Sequence, residues 1–131
     1  MKKAFILEDD EIQNKILEMK LNQDGFTVTS CSNYNSAISE IKNGDFSVYF
    51  VDLILGNEKN GLDFISEIRK KSNSLIIITS NFELKNDLHK ETSMLLGFGN
   101  YGLDPIKEVE NIVFYTKPLN FDRILIKLSE L

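Results

Sequence analysis

With 131 residues, 42% of them hydrophobic, the chain is long enough for one domain with its own core. A formal net charge of −5, with no local cluster of Lys or Arg, argues against a nucleic-acid-binding surface. A single cysteine, Cys31, and a single histidine, His89, exclude an internal disulfide and most zinc ligand sets. The N-terminus, Met-Lys-Lys-Ala-Phe-Ile-Leu-Glu, reaches acidic residues too early for a signal peptide, and no apolar run is long enough to cross a bilayer. A soluble, cytoplasmic protein is expected.

Ala4 to Leu7 is a short apolar run, the first predicted strand, and it leads straight into Glu8-Asp9-Asp10-Glu11. Four acids at a strand end repel one another, an arrangement that makes sense mainly if a cation sits among them. Taken alone, the run also fits a solvated helix N-terminus, where acids favour the dipole. Ile12 to Asp24 carries a helical stripe, Ile12, Ile16, Leu17 and Leu21, with Gly25 just past its end. Phe26 to Cys31 reads as the second strand, and Cys31 as a small buried hydrophobe. Asn33 to Asn43, with Ala37, Ile38 and Ile41 on one face and Gly44 closing it, reads as the second helix.

Val48 to Val51 has the composition of a strand buried on both faces, ends in Asp52, and opens into a Gly/Asn-rich loop. Gly61 to Lys71, with Leu62, Ile65 and Ile68 inward, is the third predicted helix, and Leu75 to Thr79 the fourth strand. Phe82 to Leu96 looks helical through Leu84, Leu88 and Leu95. The stretch from Gly97 to Gly102 is irregular, and Asp104-Pro105 suits the cap and first turn of a short helix through Glu110. Ile112 to Thr116 is the fifth strand, followed by Lys117-Pro118. The closing helix is Phe121 to Leu131, with Phe121, Ile124, Leu125 and Leu128 inward.

Strand and helix thus alternate, which implies an α/β fold with a parallel sheet wrapped on both faces through right-handed crossovers. All carboxyl ends of such a sheet point one way, so Glu8, Asp9, Asp52, Thr79 and Lys117 are expected in one crevice. Hard carboxylate oxygens suit Mg²⁺ or Mn²⁺. A lysine and a hydroxyl facing a metal clamp a phosphoryl group, and Asp52 can then act as a nucleophile that forms an acyl phosphate. Alone, Thr79 reads as a strand-end residue, Lys117 as a surface charge and Phe114 as core; their weight comes from the set.

Over essentially its whole length the chain resembles the receiver domain of two-component response regulators. The matching motifs are Phe-Ile-Leu-Glu-Asp-Asp-Glu, Val-Asp-Leu-Ile-Leu with Gly61 downstream, Ile-Ile-Ile-Thr-Ser and Tyr-Thr-Lys-Pro. The resemblance implies one flavodoxin-like domain over 1–131, a doubly wound five-stranded parallel sheet in the order 2-1-3-4-5. It implies that Asp52 is the phosphoacceptor, that Asp9 touches the metal directly and Glu8 through water, and that the main-chain carbonyl of Ile54 completes the protein ligands. It gives Thr79 and Phe114 the role of switch residues, pairs Lys117 with the phosphoryl group, and places a cis bond before Pro118. His89 lies among charged residues on a predicted exposed helix, so the phosphohistidine donor is expected on another protein, a histidine kinase or phosphotransfer protein. A downstream protein partner is implied. Such domains often pair through the face formed by the family's fourth helix, fifth strand and fifth helix, and the oligomeric state stays open; no direct contact with nucleic acid or membrane is expected.

Two departures stand out. The loop after Asp52 reads Gly56-Asn57-Glu58-Lys59-Asn60 without the proline most members carry, and the region 81–111 around the fourth helix is enlarged. Two glycine patterns are decoys. Gly97-Phe98-Gly99-Asn100-Tyr101-Gly102 matches a dinucleotide fingerprint but follows a predicted helix, and Gly56 to Gly61 continues into Leu62-Asp63 rather than Lys-Ser/Thr.

The reading is a phosphoacceptor signalling domain, self-catalysing its phosphorylation and dephosphorylation rather than acting as an enzyme on other substrates. The chain ends with the closing helix, so no output domain is expected; a stand-alone regulator, a relay intermediate and an excised fragment all stay open. Two rivals share the residues. One is a docking module that uses 81–111 without phosphorylation; the other, a Mg²⁺-dependent phosphatase, needs a general acid two residues after Asp52, where Ile54 sits.

Overall fold

The computed structural model describes residues 2–42, 44–55, 59–81 and 111–131. Five strands form one parallel sheet: β1 (Lys3–Leu7), β2 (Thr27–Cys31), β3 (Val48–Asp52), β6 (Leu75–Asn81) and β7 (Ile112–Lys117). Their order is β2-β1-β3-β6-β7. The two-residue strands β4 (Ile54–Leu55) and β5 (Lys59–Asn60) pair antiparallel outside that sheet, as a small hairpin between β3 and the next helix. Without the hairpin the sheet order is the expected 2-1-3-4-5. The helices are α1 (Glu11–Gln23), α2 (Tyr34–Ile41), α3 (Gly61–Arg69) and the closing helix α4 (Phe121–Leu128).

Composition decides which strands lie inside. Every residue of β3, Val-Tyr-Phe-Val-Asp, is buried, as a central strand covered on both faces requires. Its side chains divide by pleat. Tyr49 and Val51 join Phe5, Leu7, Ile76 and Ile78 in a core closed by Ala37 and Ile41 of α2 and by Phe64, Ile65 and Ile68 of α3. Val48 and Phe50 join Ala4, Ile6 and Ile77 in a second core, closed by Leu17 and Leu21 of α1 and by Ile124 and Leu128 of α4. Phe5 centres the first core, its ring 5.1 Å from Phe46, 5.5 Å from Phe64 and 6.0 Å from Tyr49.

Helix starts follow their capping residues. Asp10 accepts from the Ile12 and Gln13 amides, Asn33 from Ser36 and Asn120 from Arg123. Gly25, at φ 93°, supplies the left-handed residue after α1. Two strands run further than expected, because Ser80 and Asn81 pair with Thr116 and Lys117. The inward stripe of α1 differs from expectation. Leu17 and Leu21 are buried, but Ile12 is 74% and Ile16 42% exposed, and the third inward residue is Asn14. At 100° per residue, Asn14, Leu17 and Leu21 share one line, while Ile12 and Ile16 lie more than about 100° round the helix from it.

The expected helices over 82–96 and 104–110, the loop at 97–102 and His89 fall outside the described residues. Among the described residues no helix is long and apolar enough to cross a membrane. Phe5→Ala is expected to lower the free energy of unfolding by about 3–5 kcal/mol, and Ile12→Ser to change it by under about 0.5 kcal/mol, in urea titrations. Similar losses in both variants would contradict the assignment of inner and outer faces.

Candidate functional site

The pleat concentrates chemistry at one edge. Counting in twos from Ile6, Phe50, Ile77 and Tyr115, residues tied to the second core, reaches Glu8, Asp52, Thr79 and Lys117 at the carboxyl ends. All four therefore belong to the sheet face covered by α1 and α4. Asp52 and Thr79 are direct register partners and both are buried. Phe114 has the opposite parity: it pairs with Ile78 and packs half-buried against the first core, not in the acidic site.

The acidic run divides by role. Asp10 caps α1 and Glu11 lies in its first turn, the bland reading of such a run. Glu8 is buried, Asp9 exposed, and carboxylate oxygens of Glu8, Asp9 and Asp52 lie within 4.8 Å of one another. One Glu8 oxygen accepts the Asp10 amide at 3.1 Å. The other accepts the Lys117 ammonium at 2.8 Å, and the same ammonium reaches Asp52 at 3.1 Å. Burial pushes the Lys117 ammonium towards deprotonation, but the Glu8 hydrogen bond and the charges of Asp52 and Glu8 outweigh it, so its pKa stands above the usual lysine value. A raised folded-state value means that the stabilisation is complete at neutral pH and is lost only as pH climbs past the ordinary lysine range, about 10.4. The peptide bond from Lys117 to Pro118 is cis.

This donor set fits a hard divalent cation. An octahedral ion with oxygens at about 2.0–2.1 Å spaces its ligands about 2.9–4.2 Å apart, close to the span of the three acids, and Mg²⁺ usually keeps several waters besides one or two carboxylates. Glu8, Asp9 and Asp52 would hold the ion, and Lys117 would stay at the Glu8–Asp52 side. Ile54, expected to offer a main-chain carbonyl, opens the small hairpin two residues after Asp52.

Gly61 explains how Asp52 is held. Its amide donates to Leu53 O at 2.7 Å, and the Leu53 amide donates to Thr79 O at 3.0 Å, so the start of α3, the end of β3 and β6 are tied together beside the acid. A Cβ at position 61 would stand 2.1 Å from the Asp52 main-chain oxygen. Only glycine allows that approach. Asn14 is the residue that sequence reasoning passes over. It is 7% exposed, and its amide nitrogen donates to Glu8 O at 3.0 Å and to Cys31 O at 3.1 Å. The available signal was its spacing: a polar residue in line with Leu17 and Leu21 must satisfy its polar atoms inside the protein.

Residues 4–95 match the family model described as response regulator receiver domain. The chain belongs to that family. A curated relative, the transcriptional regulatory protein KdpE of Staphylococcus aureus, is 30% identical over 122 residues, 93% of this chain and 46% of its own length. The chain spans about half the length of the curated relatives it matches, 46% and 51% for the transcriptional regulatory protein YcbL of Bacillus subtilis and the response regulator ArlR of Staphylococcus epidermidis. In fold it is similar to the response regulator TrrA of Thermotoga maritima, solved with Mg²⁺-BeF, at TM-score 0.73 and 20% identity over 99% of this chain and 98% of that one. It is similar too to the chemotaxis protein CheY4 of Vibrio cholerae, at TM-score 0.77 and 16% identity over the same shares of the two chains. The acidic pocket of this receiver domain fits the phosphoacceptor site of a two-component system.

Gly61→Ala is expected to lower the free energy of unfolding by about 1–3 kcal/mol, because the backbone that carries Asp52 must move to admit the methyl group. A urea midpoint equal to that of the wild type would contradict the close approach.

Proposed function

We propose that residues 1–131 form a single phosphoacceptor domain in which Asp52 takes a phosphoryl group from a phosphohistidine of a histidine kinase or phosphotransfer protein. The observation that carries this reading is the Lys117 ammonium set between Glu8 and Asp52, with Asp9 beside them, at one edge of the sheet. An Asp52 oxygen bonds to phosphorus as the P–N bond breaks. The leaving imidazole keeps that electron pair and takes up a proton. Glu8, Asp9, Asp52 and the Ile54 carbonyl would hold Mg²⁺, which would supply charge neutralisation for the phosphoryl oxygens when bound. Lys117 turns from the Asp52 carboxylate to the phosphoryl group bonded to it. Thr79, paired in register with Asp52, donates its hydroxyl to a phosphoryl oxygen.

The signal follows as a population shift. A phosphoryl group that attracts Thr79 inward favours the state in which Phe114 also turns inward, and so changes the surface offered to a downstream partner. The donor's docking face is read from continuity with the site. Lys117 also lines an apolar hollow with Ile16, Pro118, Leu119 and Phe121, and Ile12, Ile16 and Met19 extend it as an exposed ridge on α1. A helical donor carrying its phosphohistidine beside an apolar stripe would cover both.

Intact mass after incubation with acetyl phosphate tests the proposal. One phosphoryl adduct is expected with Mg²⁺, none with chelator, and none in Asp52→Asn that retains the wild-type circular dichroism spectrum. No adduct on folded wild-type protein would overturn the phosphoacceptor reading in favour of a docking module that works without phosphorylation.

A further inference from the structure

We infer that Asn14 is a positioning residue for the cation site, setting the geometry of Glu8 and Asp9 from the buried side of α1; the inference rests on the phosphoacceptor reading above. The carbonyl that Asn14 holds, Glu8 O, belongs to the peptide unit that joins the two acids. The plane of that peptide sets where the Asp9 side chain leaves the backbone. Asn14 fixes it from a second point as well. Its amide also donates to Cys31 O, which accepts the Glu8 amide at 3.1 Å, so both sides of Glu8 are tied to the end of β2.

The loop thereby closes on itself. The Asp10 amide donates to a Glu8 carboxylate oxygen, Asp10 caps the Ile12 and Gln13 amides, and the Asn14 amide donates to Asp10 O at 2.9 Å. The Asn14 side chain completes the ring by returning to Glu8. Two neighbouring acids are most strained when their charges converge, and a peptide unit free to turn would let Asp9 swing out to water. A carboxamide is suited to prevent this. It offers two N–H donors from one nitrogen to two carbonyls and brings no charge of its own to the acids. An apolar residue of the same size would fill the space but leave both carbonyls without that donor. Partners that orient ligands without touching the metal typically change its affinity by 10–100-fold.

The test compares Mg²⁺ dissociation constants, by calorimetric titration, for wild type, Asn14→Leu and a Leu21 truncation (Leu21→Val or Leu21→Ala) matched to it in urea midpoint. Leu21 lies two turns further along α1, about 10 Å from Asn14 along the helix axis, in the second core, so it controls for a loss of stability alone. Weakening of about tenfold or more is expected in Asn14→Leu with the wild-type constant kept in the Leu21 variant. Should Asn14→Leu not fold, Asn14→Ser, which keeps a short donor unable to span both carbonyls, is expected to show the same weakening. An unchanged constant in a folded Asn14 variant, or equal weakening in the Leu21 control, overturns the positioning role. A wild-type protein that binds no Mg²⁺ overturns the underlying reading as well, and the wild-type titration separates these failures.

Discussion

Three carboxylates confined within 4.8 Å of one another set the terms for the rest of this structure. Like charges that close near a protein surface repel by about 4 kcal/mol per pair at a separation of some 4 Å. A fold accepts that only if something else fixes the groups and something positive offsets them. Lys117 supplies one positive charge, and its raised pKa expresses how firmly Glu8 and Asp52 hold it. The three acids could hold a second, in a divalent cation.

The fixing comes from the backbone. Asp52 leaves the end of a strand whose every residue is buried, and the Leu53 amide, Thr79 carbonyl and Gly61 amide hold the turn that follows it. Glu8 leaves β1 one residue past its end, with its own amide, its carbonyl and one carboxylate oxygen all engaged. Lys117 arrives from the far end of β7, opposite Asn81. Glu8 and Asp52 are thus held in part by groups unable to follow them towards water. This is how a sheet built for burial can present concentrated charge at its rim.

Much of this was legible in the chain. The apolar runs of β1, β3 and β6 and the intervening helical stripes led to the parallel sheet. The polar residues at four strand ends led to Glu8, Asp9, Asp52, Thr79 and Lys117. Where the reading of α1 went astray, its cause was to weigh residue type above angle: Ile12 and Ile16 are apolar, but Asn14 shares the line of Leu17 and Leu21. The small β4–β5 hairpin was not legible, since two-residue strands carry no periodicity. Nor was the crowding around Gly61, which depends on the Asp52 carbonyl nine positions back in the chain. Phe114 was identified as an aromatic of the fifth strand, but its pairing with Ile78, and hence its distance from the acids in pleat terms, follows from register alone.

The central claim is that the three acids are poised against one another to bind a divalent cation. Its most direct test is the urea midpoint of wild type and Asp9→Asn, each in chelator and in millimolar Mg²⁺. With chelator, Asp9→Asn should be the more stable protein, because one of the three crowded charges has gone. Mg²⁺ should then raise the wild-type midpoint and leave that of Asp9→Asn nearly unchanged, since only a ligand bound by the folded state stabilises it. A variant less stable than wild type in chelator, or an equal response of both proteins to Mg²⁺, would contradict the account.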